Sequence, residues 1–416
     1  MKGSNYSMQH LPQGLRRRRQ LVRILAFIAV AFFVFEFLYW RRSEPRTEDV
    51  PLHNSHSNLE KKPIGRVFIA ANLWKCEELL EDHWIPGLFS LILLLGKENV
   101  FVSITASPGP DRTLTILGTL EKQLEDVGVE NRIVLGGQTH KDVVNRKPEP
   151  GEAGWVVTPR GRTALRRIPY LAKVRNEVLE PLEDPKVVNG TRSFDKILFL
   201  NDIVFTGEDA WELLRTRNGH YSAACGLDFT EYRRFYDTFV MRDTNGWEFA
   251  STRFPIFASG PSRDAMLRGE IVPVKSCWNG IAAFDAKPFL PPTSLRFRAI
   301  DDSMAAYHLE GSECCLIHVD NPETEKQGVW VNPRVRVAYE KVAYDRVRVW
   351  PTREDEVVGW FVRFGTNLLR LPWLKGAIKR KIAKWEKEGQ RKEPGSFCVV
   401  EEMQVLSKTG WTQIGV

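Results

Sequence analysis

Residues 197–205 form an apolar run broken once, by Asn201-Asp202, before it resumes as Ile203-Val204-Phe205. Such a run, following the polar stretch 191–196, predicts a strand buried on both faces. A carboxylate ending that strand is costly to bury unless it is paired or binds a metal. A capping aspartate at a turn is the plainer alternative. Upstream, Leu171, Val174, Val178 and Leu182 keep helical spacing, and Pro169 sits where a first helical turn tolerates it. Arg175 lies at the edge of that stripe, one connection before the acidic strand. Its guanidinium either reaches a diphosphate, braces Asp202, or is a surface arginine.

The surrounding elements alternate in the βα manner. Val67-Phe68-Ile69-Ala70-Ala71, Val100-Phe101-Val102-Ser103-Ile104 and Arg132-Ile133-Val134-Leu135 read as strands. Residues 77–95 read as largely helical with a break at Pro86-Gly87. A second helix carries Leu114, Leu117, Leu120 and Leu124 on one face, with Asp111 as its expected cap and Gly128 as its end. Strands alternating with helices imply a parallel sheet covered on both faces, with ligands outside the carboxyl ends of the strands. That rule places Asn72 on the same rim as Asp202. No glycine-rich phosphate loop of either familiar pattern is present, which argues against a dehydrogenase or a P-loop enzyme.

Downstream, the chain carries Tyr221-Ser222-Ala223-Ala224-Cys225-Gly226-Leu227-Asp228-Phe229, then Phe235-Tyr236-Asp237-Thr238-Phe239-Val240-Met241-Arg242-Asp243. Val274-Lys275-Ser276-Cys277-Trp278-Asn279-Gly280, Leu295-Arg296-Phe297-Arg298, Ser312-Glu313-Cys314-Cys315-Leu316 and Asn332-Pro333-Arg334-Val335-Arg336-Val337-Ala338-Tyr339 come after them. In this order they resemble the fungal capsule-associated (cryptococcal) α-1,3-mannosyltransferase family, from about residue 67 to 339. The resemblance implies a GT-A-like, Rossmann-type α/β fold with a mostly parallel sheet. It also implies transfer of mannose from GDP-mannose to a mannose-containing glycan or polysaccharide with retention of configuration, assisted by Mn²⁺ or Mg²⁺. Another nucleotide-sugar donor, or a catalytically silent member that scaffolds polysaccharide assembly or export, is the alternative. The usual metal motif of such folds is Asp-x-Asp, and Asn201-Asp202 departs from it.

Under this resemblance Asn72, Arg175, Asn201 and Asp202 bind the donor, and Asp202 holds the metal with His318 as a late ligand and Asp320 as fallback. A packed or capping role is the alternative for His318. Glu313 faces the anomeric carbon as nucleophile or as a stabiliser of the oxocarbenium face, and Asp237 joins it as a catalytic candidate. Trp278 offers an apolar face to a sugar ring and Asn279 a donor and an acceptor to hydroxyls; a buried Trp before an Asn turn is the competing view. Asp228, Arg242 and Asp243 are acceptor-binding candidates or members of an internal salt-bridge set.

At the N-terminus, residues 21–40 are apolar apart from Arg23 and Glu36 and follow the cluster Arg16-Arg17-Arg18-Arg19. About 20 such residues suffice to cross a bilayer. The basic flank puts residues 1–20 in the cytosol, predicting a single-pass type II signal-anchor in the Golgi or endoplasmic reticulum. Residues 41–65 read as a flexible stem, 66–345 as the lumenal transferase domain, and 346–416 as an extension. Asn189-Gly190-Thr191 is a glycosylation sequon that fits lumenal exposure. The six cysteines lack any C-x-x-C pair, so zinc is not expected, and their disulfide pairing stays open. Net charge is +7, much of it in the N-terminal cluster and the C-terminal tail. Without a basic stripe in the folded part, nucleic acid is not an expected partner. Late in the chain, Leu374, Ile378, Ile382 and Trp385 stripe a basic helix that lies either on a membrane surface or against the domain.

Overall fold

A computed structural model describes residues 64–188, 193–230, 234–258, 260–365 and 371–414, with scattered helical positions between 20 and 34. The expected anchor and stem, and the sequon at Asn189, lie largely or wholly outside these residues. Among the described residues no helix is long and apolar enough to cross a membrane.

From residue 64 onward the chain builds a ten-stranded sheet. Its strands are β1 (Val67–Leu73), β2 (Val100–Ala106), β3 (Glu130–Leu135), β4 (Lys196–Leu200), β5 (Ala223–Thr230), β6 (Arg234–Phe235), β7 (Arg242–Asp243), β8 (Val272–Ser276), β9 (Ile281–Asp285) and β10 (Val329–Ala338). The order across the sheet is β3-β2-β1-β4-β9-β5-β10-β8-β7, with β6 paired to β5. The block β3-β2-β1-β4 is parallel, as the alternation of strands and helices requires. β9 runs antiparallel to both β4 and β5, while β5 and β10 are parallel to each other. The sheet is therefore mixed, with most strands pointing one way. β2 and β4 are buried along their whole length, and their largely apolar sequences, broken only by Ser103 and Thr105 in β2 and by Lys196 at the start of β4, follow from having both faces covered.

The helices of the domain include α1 (Ile85–Leu95), α2 (Thr113–Val127), α3 (Arg167–Val178), α4 (Gly207–Leu214), α5 (Glu313–Asp320) and α6 (Leu371–Gly389). The break expected at Pro86 is absent. A π-turn over Leu80–Trp84 runs straight into α1, and Pro86, the second residue of α1, follows it without interrupting the helix. α2 ends at Gly128 in the left-handed conformation, as its sequence indicates. Its expected cap differs: Arg112 occupies the cap position, and Asp111 instead accepts from the Thr113 hydroxyl (2.7 Å) and the Glu77 N–H (3.2 Å).

Two disulfides close the domain, Cys225–Cys277 and Cys315–Cys398, leaving Cys76 and Cys314 as buried thiols. The basic helix α6 packs inward. Ile378, Ile382 and Trp385 are buried, and the Trp385 indole donates to the Ser303 hydroxyl at 2.9 Å, while Lys379, Arg380 and Lys384 remain exposed. The residues after α6 are woven into the domain as well, since Val399 and Val400 pair with Gly311 and Glu310 immediately before α5.

Candidate active site

The carboxyl ends of β1, β4, β5 and β10 share one rim, because these four strands run in the same direction. β9 runs the opposite way, so its amino end opens on that rim and delivers Trp278-Asn279-Gly280 between β4 and β5. Asn279 adopts φ +56°, which asparagine tolerates better than most residues. Gly280 is required there, since a Cβ would meet the Ile203 side chain at 2.9 Å.

Arg175 crosses this rim from α3. Its Nε donates to Glu313 Oε1 at 3.0 Å, and its guanidinium lies 4.3 Å from the centre of the Trp278 ring. Arg175 and Glu313 are 13% and 3% exposed in their side chains, so the pair is screened little by water. Glu313 is the first residue of α5, whose cap Ser312 accepts from the Cys314 N–H at 3.2 Å. Ser312 Oγ and Cys314 Sγ also donate to the Glu313 carboxylate, each at 3.4 Å.

Three aspartates surround that pair. Asp237 accepts from the Val240 and Asn279 N–H groups at 3.1 and 3.0 Å. Asp228, fully buried on β5, accepts from the Asp237 N–H and the Tyr339 hydroxyl, both at 3.1 Å. Burial raises the carboxyl pKa of both aspartates, and for Asp228 the neighbouring Asp237 charge adds to the effect. Asp202 stands at the bend after β4, half-buried; burial pushes its pKa up to about 6 against the opposing pull of Arg175. Among the described residues no other residue's donor is directed at the Asp202 carboxylate. The rim therefore holds an excess of carboxylates over guanidinium groups.

Several expected roles change on this geometry. Trp278 is not an open sugar platform: it is buried, one face is taken by Arg175, and Phe199 and Phe297 pack on it at 5.0 and 5.8 Å. Its indole N–H donates to Asn201 Oδ1 at 3.1 Å, so Asn201 braces Trp278 where a donor-binding side chain was expected. Asn279 is fully buried; its amide donates to the Gly226 carbonyl (2.6 Å) and leaves Oδ1 without a partner. The Asn72 Nδ2 is likewise spent, on Thr105 Oγ1 (2.5 Å) and the Val174 carbonyl (2.9 Å), tying β1 to α3 and leaving Oδ1 buried without a partner.

His318 is no metal ligand in this fold. It is fully buried, stacked on Phe284 at 5.5 Å, with Nε2 bound to the Cys277 carbonyl at 2.8 Å. Burial lowers its pKa to about 4, so it is neutral near pH 7. Asp320, its fallback, is engaged by Arg298. Asp243 closes a turn by accepting from the Asn245 and Trp247 N–H groups, each at 2.9 Å. Arg242 donates only to main-chain carbonyls. Neither offers its polar atoms to an acceptor sugar.

Among the described residues no group of three His, Cys, Asp or Glu side chains is placed to hold a metal. A protein-enclosed ion therefore does not fit. An ion shared between Asp202 and a ligand diphosphate does, because Mg²⁺-like cations are commonly bound through one or two carboxylates plus phosphate oxygens. The unclaimed Asp202 carboxylate, with its raised pKa, is the group such an ion would neutralise.

Sequence reading passed over three contributors. Tyr339, at the end of β10, points its hydroxyl at Asp228. Asn176 clamps Phe297 by both its N–H and its carbonyl, at 2.8 and 2.9 Å, setting that ring against Trp278. Arg166 is buried against Glu310 and Asp302, each at 2.6 Å, and anchors the start of α3. The Phe297 and Tyr339 segments were read as motifs in chain order, but that order did not reveal these contacts. A cleft of about 980 Å³ also runs along α3 beside residues 296–302. It tracks the Ala172, Lys173 and Asn176 face of α3, and none of Asp202, Asp228, Asp237 or Glu313 lines it, so the chemistry is assigned to the rim.

The profile of the family described as Cryptococcal mannosyltransferase 1 matches residues 66–320, more than half of the chain. The chain belongs to this family. All the rim residues named above except Tyr339 fall inside the matched region. Alpha-1,3-mannosyltransferase CMT1 of Cryptococcus neoformans is 28% identical over 319 residues, covering 73% of this chain and 64% of that protein. This member of the cryptococcal mannosyltransferase family thus spans under two thirds of that relative's length. Among solved structures, the Pyrobaculum calidifontis mannosyltransferase PcManGT, in complex with GDP-Man and Mn2+, is 13% identical, covers 89% of this chain and 88% of its own, and superposes with a TM-score of 0.37. Staphylococcus aureus TarS 1–349 is 10% identical over 73% of each chain, with a TM-score of 0.36. Likenesses of that size carry no ligand across to this chain.

Proposed function

We propose that this chain is a retaining glycosyltransferase that moves a mannosyl unit from GDP-mannose to a mannose-containing glycan, in α-1,3 linkage. The observation that carries the reading is the Arg175–Glu313 pair, held at the carboxyl rim of the sheet among Asp202, Asp228 and Asp237. Family membership supplies the class of reaction; this geometry supports the roles that follow. Arg175, whose Nε is fixed by Glu313, has its remaining N–H groups for the donor's diphosphate, where negative charge grows as the nucleotide leaves. Mn²⁺ or Mg²⁺ at Asp202, shared with the diphosphate, would supply further neutralisation of the leaving group. Glu313 stabilises the positive charge that develops at the anomeric carbon, and Asp237, with Asp228 behind it, orients the acceptor hydroxyl.

A donor screen on the purified protein tests this reading. GDP-mannose is expected to be turned over, and to be stimulated by Mn²⁺, above every other nucleotide sugar. Preference for a different donor would correct the substrate. Inertness toward all of them would favour the scaffolding alternative, to which the brace formed by Asn201 and Trp278 lends support.

We further propose that residues 21–40 anchor the chain in a Golgi or endoplasmic reticulum membrane with the domain lumenal. The apolar span, its basic flank and the sequon support this. In a eukaryotic host, deglycosylation should increase gel mobility, and Asn189→Gln should abolish the shift. A domain digested by protease added to sealed microsomes would overturn the topology.

A further inference from the structure

Arg242 is 1% exposed, yet among the described residues no carboxylate stands within ion-pair distance of it. Its guanidinium is held by four main-chain carbonyls instead: Phe239 (3.0 Å), Met241 (2.9 Å), Phe397 (2.8 Å) and Cys398 (3.4 Å). A buried charge whose hydrogen bonds all go to carbonyls is expensive, and burial lowers its pKa; Glu248, Asp237, Asp243 and Glu402 favour the charge only through space. A neutral side chain of similar volume would fill the same space more cheaply, so packing alone gives no reason for a cation here.

What the cation touches supplies a reason. Phe239 and Met241 belong to the loop that begins with Asp237 and folds back on it through the Val240 N–H. The Val240 carbonyl in turn accepts from the Ser276 hydroxyl at 2.7 Å. Phe397 and Cys398 belong to the C-terminal strap, and Cys398 is bonded to Cys315, two residues after Glu313. One guanidinium thus joins the Asp237 loop to a strap tied covalently to the Glu313 helix.

The charges around Asp237 are unevenly shared. Asp228 from β5, Tyr339 from the end of β10, Glu313 and Cys314 from α5, Arg175 from α3 and the adjoining Tyr236 all surround it. Arg175 is bonded to Glu313, whereas Arg242 acts on Asp237 through space and favours its charged form.

We propose that Arg242 is a positioning residue for Asp237: it pins the loop carrying that carboxylate to the C-terminal strap and supplies a positive charge that its own hydrogen bonds do not. Only the activity arm of the test rests on the mannosyl-transfer reading.

The full-length chain, with carboxyl-labelled aspartate, is titrated by NMR as wild type, Arg242→Lys and Arg242→Met, using Asp237→Asn to assign the signal. Loss of the charge in Arg242→Met should move the Asp237 midpoint up by about one pH unit. The acidic limb of the kcat/KM profile should move with it. Arg242→Lys keeps the charge but not the fork of donors. It should leave the midpoint in place and lower kcat about tenfold with KM unchanged. An unmoved Asp237 midpoint in a folded Arg242→Met protein overturns the proposal. If Arg242→Met does not fold, a displaced midpoint in Arg242→Lys overturns it. An inert wild-type enzyme would sink the functional reading and leave the NMR arm intact.

Discussion

Glu313→Gln should lower turnover by roughly 10²–10³-fold, equivalent to a few kcal/mol of transition-state stabilisation, while nucleotide binding stays nearly intact. The split comes from where the side chain sits. Glutamine is isosteric and keeps an oxygen to accept the Arg175 Nε–H, so Arg175 remains aligned over Trp278 for the diphosphate. What is lost is the negative charge of a side chain only 3% exposed, where electrostatic effects are screened least. That charge matters when positive charge develops on the sugar, so the loss falls on kcat. Isothermal titration with GDP and steady-state kinetics separate the two. Unchanged turnover would remove Glu313 from the mechanism; equal losses in binding and turnover would make it only a brace for Arg175.

Asp202→Asn should abolish Mn²⁺ stimulation and weaken nucleotide binding, yet stabilise the metal-free domain. The sign is set by linkage. Burial raises the Asp202 pKa to about 6, above its value in the unfolded chain. Between roughly pH 4 and 6 the folded state therefore binds more protons than the unfolded state, and this carboxylate's contribution to stability falls as pH rises through that window. Above it, the ionised group opposes folding until a cation neutralises it. Discounted for partial exposure, the gain from asparagine is on the order of 1–2 kcal/mol. It would appear as a higher melting temperature without metal at pH 7.5. Proton competition also requires wild-type Mn²⁺ affinity to decline below about pH 6. Full Mn²⁺-dependent activity in Asp202→Asn would break the assignment of the metal to this rim.

Much of the scaffold was legible in local pattern. The apolar runs of β1, β2 and β4, the stripe of α2 and its ending glycine each arise from a few neighbouring residues. The bend at Asn201-Asp202 could be read the same way, since a carboxylate interrupts a buried run only where the strand stops. Motif order pointed to the family without any structure.

Which polar residues face the reaction was not legible, because that depends on pairing between distant segments. Trp278 and Asn279 reach the rim only because β9 runs antiparallel between β4 and β5, and the same packing buries them beneath Arg175. Arg242, Asp243 and His318 look like site residues by type. Backbone groups up to 156 positions away in sequence take the Arg242 guanidinium, and nearby ones take the Asp243 carboxylate; His318 Nε2 is spent on the Cys277 carbonyl while its Nδ1 is buried without a partner. The disulfides were open for the same reason, since Cys315 meets Cys398 only after the C-terminal strap crosses α5. Sequence by itself determined strands β1 to β4, the helical stripes of α2, α3 and α6, and the family, because periodicity and motif order are carried along the chain. The tertiary structure decided which charges meet, because burial and hydrogen-bond partners are set by contacts between residues that are far apart in it.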